Sequence, residues 1–295
     1  QRSVTVDIYG TDPAPNEDSY ALYAVYGGGN MADYTYGNGY PTVTVHNCDN
    51  SIEYVYGGGN AAAVAATDVT IYGGNKIGNV FGGGNGTVSA ANVTGNASTT
   101  IHGGTILKVF GGSNTQGTIG GTINVEVNKS GTCAMHIGEV YGGGNMAASN
   151  AGNITIGCTG DEGEGIGDVY GGANMADITG NIKLDITGGS IQRVFGGNNQ
   201  SGSISGTIEV NVNWDEPSSC GYNYLGNVFG CGNVAPYTGS STVNIIKGTV
   251  SHSVYGGGNE ANAGTTTVNV SGGSVGGTAA SDGVYGGCNT SGTVT

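Results

Sequence analysis

Three carboxylates sit between glycines at Asp161, Glu162 and Glu164, the densest acidic run in the chain, and oxygen ligands so spaced suit a Ca²⁺ ion. The plainer alternative is a solvated loop. The G-G-x-G-x-D signature of calcium-binding β-rolls is missing, because this chain carries an amide where that motif carries a carboxylate. No metal site is predicted. Glycoside hydrolysis needs two facing carboxylates, and a repetitive fold would set Asp185 beside carboxylates of neighbouring repeats; chance alignment on an acidic surface explains this better. A polysaccharide lyase needs a basic group beside the substrate's uronate, but Lys76, Lys108, Lys129, Lys183, Arg193 and Lys247 are dispersed singly. His46, His102, His136 and His252 are scattered too, and no Ser/His/Asp set stands out. Threonines at Thr42, Thr44 and Thr265 to Thr267 alternate as in a flat outward array, for which ordinary β-propensity is the simpler cause. The sequence therefore predicts no catalytic residue, no cofactor and no enzyme.

Cys48, Cys133, Cys158, Cys220, Cys231 and Cys288 form no C-x-x-C pair, which argues against a zinc site. An even number suits disulfides in an oxidising compartment, and buried free thiols fit as well. Cys133 and Cys158 lie about one repeat apart, so a bridge between neighbouring rungs is the candidate disulfide.

The charge balance excludes further classes. Seven basic against 21 acidic residues give a net charge of -14, which disfavours nucleic acid and anionic lipid as partners. Only 9% of residues are charged, too few for a disordered polyelectrolyte. No apolar run reaches the roughly 18 to 20 residues of a membrane helix, so no membrane insertion is predicted. No leader opens the chain, so either export is not needed or the leader has been removed.

Self-comparison decides the fold. The hexapeptide V-[Y/F]-G-x-x-N occurs ten times, starting at Val25, Val55, Val80, Val109, Val140, Val169, Val194, Val228, Val254 and Val284. Ahead of most copies runs a second element with apolar residues at every other position: Val4, Val6 and Ile8; Val43 and Val45; Val69 and Ile71; Ile123, Val125 and Val127; Ile154 and Ile156; Ile182, Leu184 and Ile186; Ile208, Val210 and Val212; Val243 and Ile245; Val268 and Val270. Such alternation marks half-buried strands. Turns such as Gly103-Gly104, Gly188-Gly189 and Gly272-Gly273 often follow. An apolar residue then stands three before the motif valine, as at Ile52, Ile77, Ile106, Ile137, Ile166, Ile191 and Leu225.

Helical repeats are excluded, since nothing has helical periodicity and the 62 glycines would each cost a helix interior up to about 1 kcal/mol. A propeller blade needs roughly 40 to 50 residues, more than one repeat offers. The expected fold is all-β: a single parallel β-solenoid of about ten coils over 1–295, of undetermined handedness.

Stacking the coils about 4.8 Å apart aligns equivalent residues. One predicted column holds Tyr26, Tyr56, Phe81, Phe110, Tyr141, Tyr170, Phe195, Phe229, Tyr255 and Tyr285; facing outward it would be a platform for glycans or partners, facing inward it is core, and the exchange of Tyr with Phe favours at least partial burial. A second holds Asn30, Asn60, Asn85, Asn114, Asn145, Asn174, Asn199, Asn233, Asn259 and Asn289, whose amides would bond along the stack. Asparagine also tolerates left-handed backbone at a corner, and the glycines before it admit angles closed to other residues. The longest interval, Asn213-Trp214-Asp215-Glu216-Pro217-Ser218-Ser219-Cys220, is read as a loop covering one flank rather than a binding loop.

On these repeats the chain resembles glycine-rich parallel β-helix surface proteins of bacteria, including adhesin passenger domains and polymorphic outer-membrane repeats with G-G-[A]-[I/L/V] and F-x-x-N signatures. It departs in spacing, for Phe81 to Asn85 and Phe195 to Asn199 read F-x-x-x-N, and most copies carry tyrosine. The resemblance implies a cell-surface or extracellular location and a role in adhesion or surface structure.

The ends lead to a further expectation. The chain opens on Val4-Thr5-Val6-Asp7-Ile8 and stops in Gly292-Thr293-Val294-Thr295, both repeat-like, where solenoids normally carry polar caps. Val4, Val6, Ile8 and Val294 are the predicted interface of a head-to-tail homopolymer. The alternatives are a fragment of a longer protein, a monomeric adhesin binding surface glycans, and, least favoured, a polysaccharide-degrading β-helix enzyme.

Overall fold

The computed structural model describes residues 3–35, 39–215, 220–277 and 279–295. The chain winds through about nine turns of a parallel β-solenoid, with no helix among the described residues. Two parallel sheets of ten strands each run the length of the stack. The first holds the alternating elements: Val4–Ile8, Pro41–Val45, Thr67–Ile71, Ala97–Ile101, Ile123–Val127, Gly152–Ile156, Ile182–Ile186, Ile208–Val212, Tyr237–Ile245 and Ala263–Val270. The second holds the strands that carry the motif: Leu22–Tyr26, Ser51–Tyr56, Lys76–Phe81, Gly104–Phe110, Met135–Tyr141, Gly165–Tyr170, Ser190–Phe195, Tyr224–Phe229, Val254–Tyr255 and Val284–Tyr285. One strand from each sheet makes a rung. The third side is closed by single bridges, such as Tyr34 to Val64 to Val93 to Ile119, and by one short ladder of Ser149–Asn150 with Ile178–Thr179.

Alternation fixes the first sheet's register. In Ile123–Val127 the pattern is buried, exposed, buried, exposed, buried, and Ile123, Val125 and Val127 pair with Gly152, Ile154 and Ile156 of the next rung. A slip of one residue would turn every valine to water. Ala97–Ile101 lacks a visible alternation because Thr99 stands in the column between Val69 and Val125. It is buried at 1% exposure, and its hydroxyl has no hydrogen-bond partner. Inside the second sheet Ile52, Ile77, Ile106, Ile137, Ile166, Ile191 and Leu225 join the motif valines from Val25 to Val254 in one continuous core, while Val284 of the last rung is exposed.

Glycine has two distinct roles. At the second glycine of the predicted turns φ is positive, +108° at Gly104, +88° at Gly189 and +75° at Gly273, angles that side chains rarely adopt. The motif glycines differ from expectation, for none of the motif's glycines or asparagines lies in the left-handed region. Close approach is the reason instead. A Cβ on Gly171 would fall well under 3.0 Å from the carbonyl oxygen of Gly196 in the next rung, and Gly142 stands likewise against Gly171.

The predicted Cys133–Cys158 bridge is not formed. Cys48 pairs with Cys133 and Cys158 with Cys220, at Cα separations of 5.3 and 5.2 Å, while Cys231 and Cys288 are free thiols. All four bonded cysteines lie on the corner leading from the first sheet to the second. The loop before Met135 leans back over two rungs whose corners are glycines: a Cβ at Gly73 would strike the Cys133 Sγ, and one at Gly103 would crowd its carbonyl. Cys133 therefore meets Cys48 three rungs back instead of Cys158 on the next rung, and Cys158 meets Cys220 two rungs on.

Candidate functional site

The two predicted columns are formed side by side. Aromatic rings stack face to face from Tyr26 to Tyr285 with centroids 4.7 to 5.0 Å apart. Tyr56, Phe81, Phe110, Tyr141, Tyr170, Phe195 and Phe229 are buried, as a cluster separate from the valine core. Tyr26 and Tyr255 are half-buried and Tyr285 is exposed.

Beside them runs the amide ladder. Each Nδ2 donates to the Oδ1 of the preceding rung, from Asn60 to Asn30 (2.7 Å) and onward through Asn85, Asn114, Asn145, Asn174, Asn199, Asn233, Asn259 and Asn289, at 2.7 to 3.1 Å. The columns are cross-linked where Tyr56 donates to Asn85 and Asn199 donates to the Tyr141 hydroxyl. Burial pushes the Tyr56, Tyr141 and Tyr170 phenols well above their ordinary range; the hydrogen bond and charge of Glu139 push Tyr141 further, and the Asp168 carboxylate does so for Tyr170.

The titratable groups dispersed along the sequence come together in pairs: Lys108 with Glu139 and Arg193 with Asp168, in register on four consecutive rungs of the second sheet. Glu164 is an anchor: Lys129 donates to its Oε1 (2.6 Å) and Asp161 N–H to its Oε2 (2.8 Å). Burial alone would raise its carboxyl, but the Lys129 bonds and charge outweigh that and hold it below the usual range. Asp185 accepts from Lys183 and Asn211. His46 contacts Asp7 and stacks between Tyr9 and Tyr72, His102 reaches the Asn128 carbonyl, and His252 meets Tyr224. Among the described residues no group of three or more His, Cys, Asp or Glu is arranged to hold a metal ion. Trp214 of the long insertion is buried in the valine core; Glu216, Pro217, Ser218 and Ser219 lie outside the described residues. Of the expected polymer interface, Val4 and Val294 are exposed, and Val6 and Ile8 are half-buried against the core.

Sequence reasoning missed a groove of about 860 Å³ on the outer face of the second sheet. Its floor crosses the strands from Lys76–Phe81 to Tyr224–Phe229, five rung steps or about 24 Å. Thr105, Leu107, His136 and Gln192 point from it into solvent, and Gly138 and Gly167 leave bare backbone midway. Tyr20 closes one end under the Lys76 ammonium, 4.6 Å from its ring; Tyr222 and Tyr224 close the other. The Glu162–Glu164 loop forms the side wall. The Cys158–Cys220 disulfide, the Tyr222 N–H to Gly160 carbonyl bond (3.0 Å) and the Lys129–Glu164 pair fix that wall in place. The sequence held only a faint signal, a glycine after the core residue at Gly78, Gly138, Gly167 and Gly226 that leaves the outer face without side chains.

No protein-family model, curated protein or solved structure matches this chain.

Proposed function

We propose that the chain is a structural, extracellular β-solenoid whose rungs continue from one molecule to the next in a head-to-tail filament or matrix fibre. The observation that carries this reading is the amide ladder, unbroken through all ten rungs, beside the stacked aromatic column. The residues that recur in this sequence are consumed in holding one rung to the next. Because each rung presents nearly the same surface to its successor, a rung of a second molecule fits the same columns, and such heterologous contacts propagate without closing. Two disulfides suit an oxidising compartment outside the cell.

Concentration-dependent light scattering of the natively processed protein tests this reading. Growth of long species, abolished in Val6→Lys, is expected; discrete monomers at every concentration would leave the monomeric surface adhesin in its place. Cleavage of any acidic or neutral polysaccharide would instead support the β-helix enzyme.

A further inference from the structure

We propose that the groove on the second sheet binds a neutral oligosaccharide, lying along the solenoid axis between Tyr20 and the Tyr222–Tyr224 pair. This goes beyond a structural role and stands without it. Aromatic rings with polar tips close both ends, offering apolar area and hydroxyls together. Between them the exposed Thr105, His136 and Gln192 stand on three of the four central strands, with the bare backbone of Gly165 and Gly167 on the fourth, so hydrogen-bonding groups are spaced along the groove as they are along a sugar chain. A cleft that combines apolar surface with a few converging polar groups on a fixed frame is the usual form of a ligand site.

Two features select the ligand class. Lys129 already neutralises Glu164, which leaves Glu162 as the carboxylate facing the groove, and the Lys76 ammonium already donates to the Glu17 and Ser19 carbonyls, so a uronate chain would meet Glu162 with no free donor on Lys76 to receive it. An extended peptide binds best by adding to an open strand edge. The floor offers none, since Gly104–Phe110, Met135–Tyr141, Gly165–Tyr170 and Ser190–Phe195 are each paired on both sides. Leu107, 55% exposed, is the one aliphatic side chain standing free on the floor among the described lining residues, too little for a series of side-chain pockets.

The test is calorimetric titration of the full chain with cello-, chito- and manno-oligosaccharides, an oligogalacturonate, and an extended polar peptide. Binding of at least one neutral oligosaccharide is expected, weakened at least about tenfold in Leu107→Arg and in Tyr222→Ala and unchanged in Glu126→Gln on the opposite sheet. Circular dichroism checks each variant's fold, and Gln192→Ala replaces any that misfolds. The proposal is overturned if no neutral oligosaccharide binds, if the oligogalacturonate or the peptide binds more tightly, or if the groove variants bind like the parent. Filament growth is read separately by scattering, so loss of one conclusion leaves the other standing.

Discussion

At Asn174 one buried side chain carries two links of the ladder, donating to Asn145 and accepting from Asn199. Asn174→Ala takes the donor from the half-buried Asn145 Oδ1 and one of two acceptors from the buried Asn199 Nδ2, which keeps its bond to Tyr141, so a loss of about 1 to 2 kcal/mol is expected in chemical denaturation. Thr99→Val has the opposite sign. It removes an unpartnered hydroxyl from the valine column at nearly constant volume, and a gain of about 1 kcal/mol is expected in the same assay. The asparagine positions were legible in the sequence because they recur at a fixed offset from the valine. Their conformation was not: a left-handed corner and an extended ladder both favour asparagine, and only the backbone distinguishes them. The motif glycines likewise reflect carbonyl oxygens of the next rung, which no local pattern displays.

At the scale of elements, strands were legible wherever apolar residues alternate, and Ala97–Ile101 escaped because a threonine interrupts the column. Tyrosine facing outward and tyrosine facing inward read alike in one dimension; the second sheet resolves them by packing the rings into a column of their own. That burial has a pH consequence. The folded state holds the Tyr56, Tyr141 and Tyr170 protons above the ordinary pKa of about 10, and burial lifts Tyr237 to about 12. Their contribution to stability is therefore complete below pH 10 and is lost as the pH rises beyond it, since the unfolded chain ionises first. Tyrosinate absorbance followed with circular dichroism should show the buried Tyr56, Tyr141 and Tyr170 ionising only together with unfolding. A smooth titration of all tyrosines with the fold intact would contradict the buried column.

For the whole molecule, the solenoid was legible from the ten motif copies, whereas the cysteine pairing and the groove were not. Both depend on how far corner loops lean along the axis, which sequence distance does not encode. The disulfides close loops of 85 and 62 residues. On the loop-entropy scale each contributes about 4 kcal/mol, so reduction should lower the thermal midpoint clearly while leaving the strands intact at room temperature. Peptide mapping without reductant should recover Cys48 with Cys133 and Cys158 with Cys220, and leave Cys231 and Cys288 open to alkylation after denaturation. The central claim is that the rung stack continues from molecule to molecule. Cryo-electron imaging of the natively processed protein tests it most directly. The expected result is unbranched fibres with strands across the axis and a rung spacing of about 4.8 Å running unbroken through the junctions between subunits; discrete rods one solenoid long, at every concentration, would contradict it.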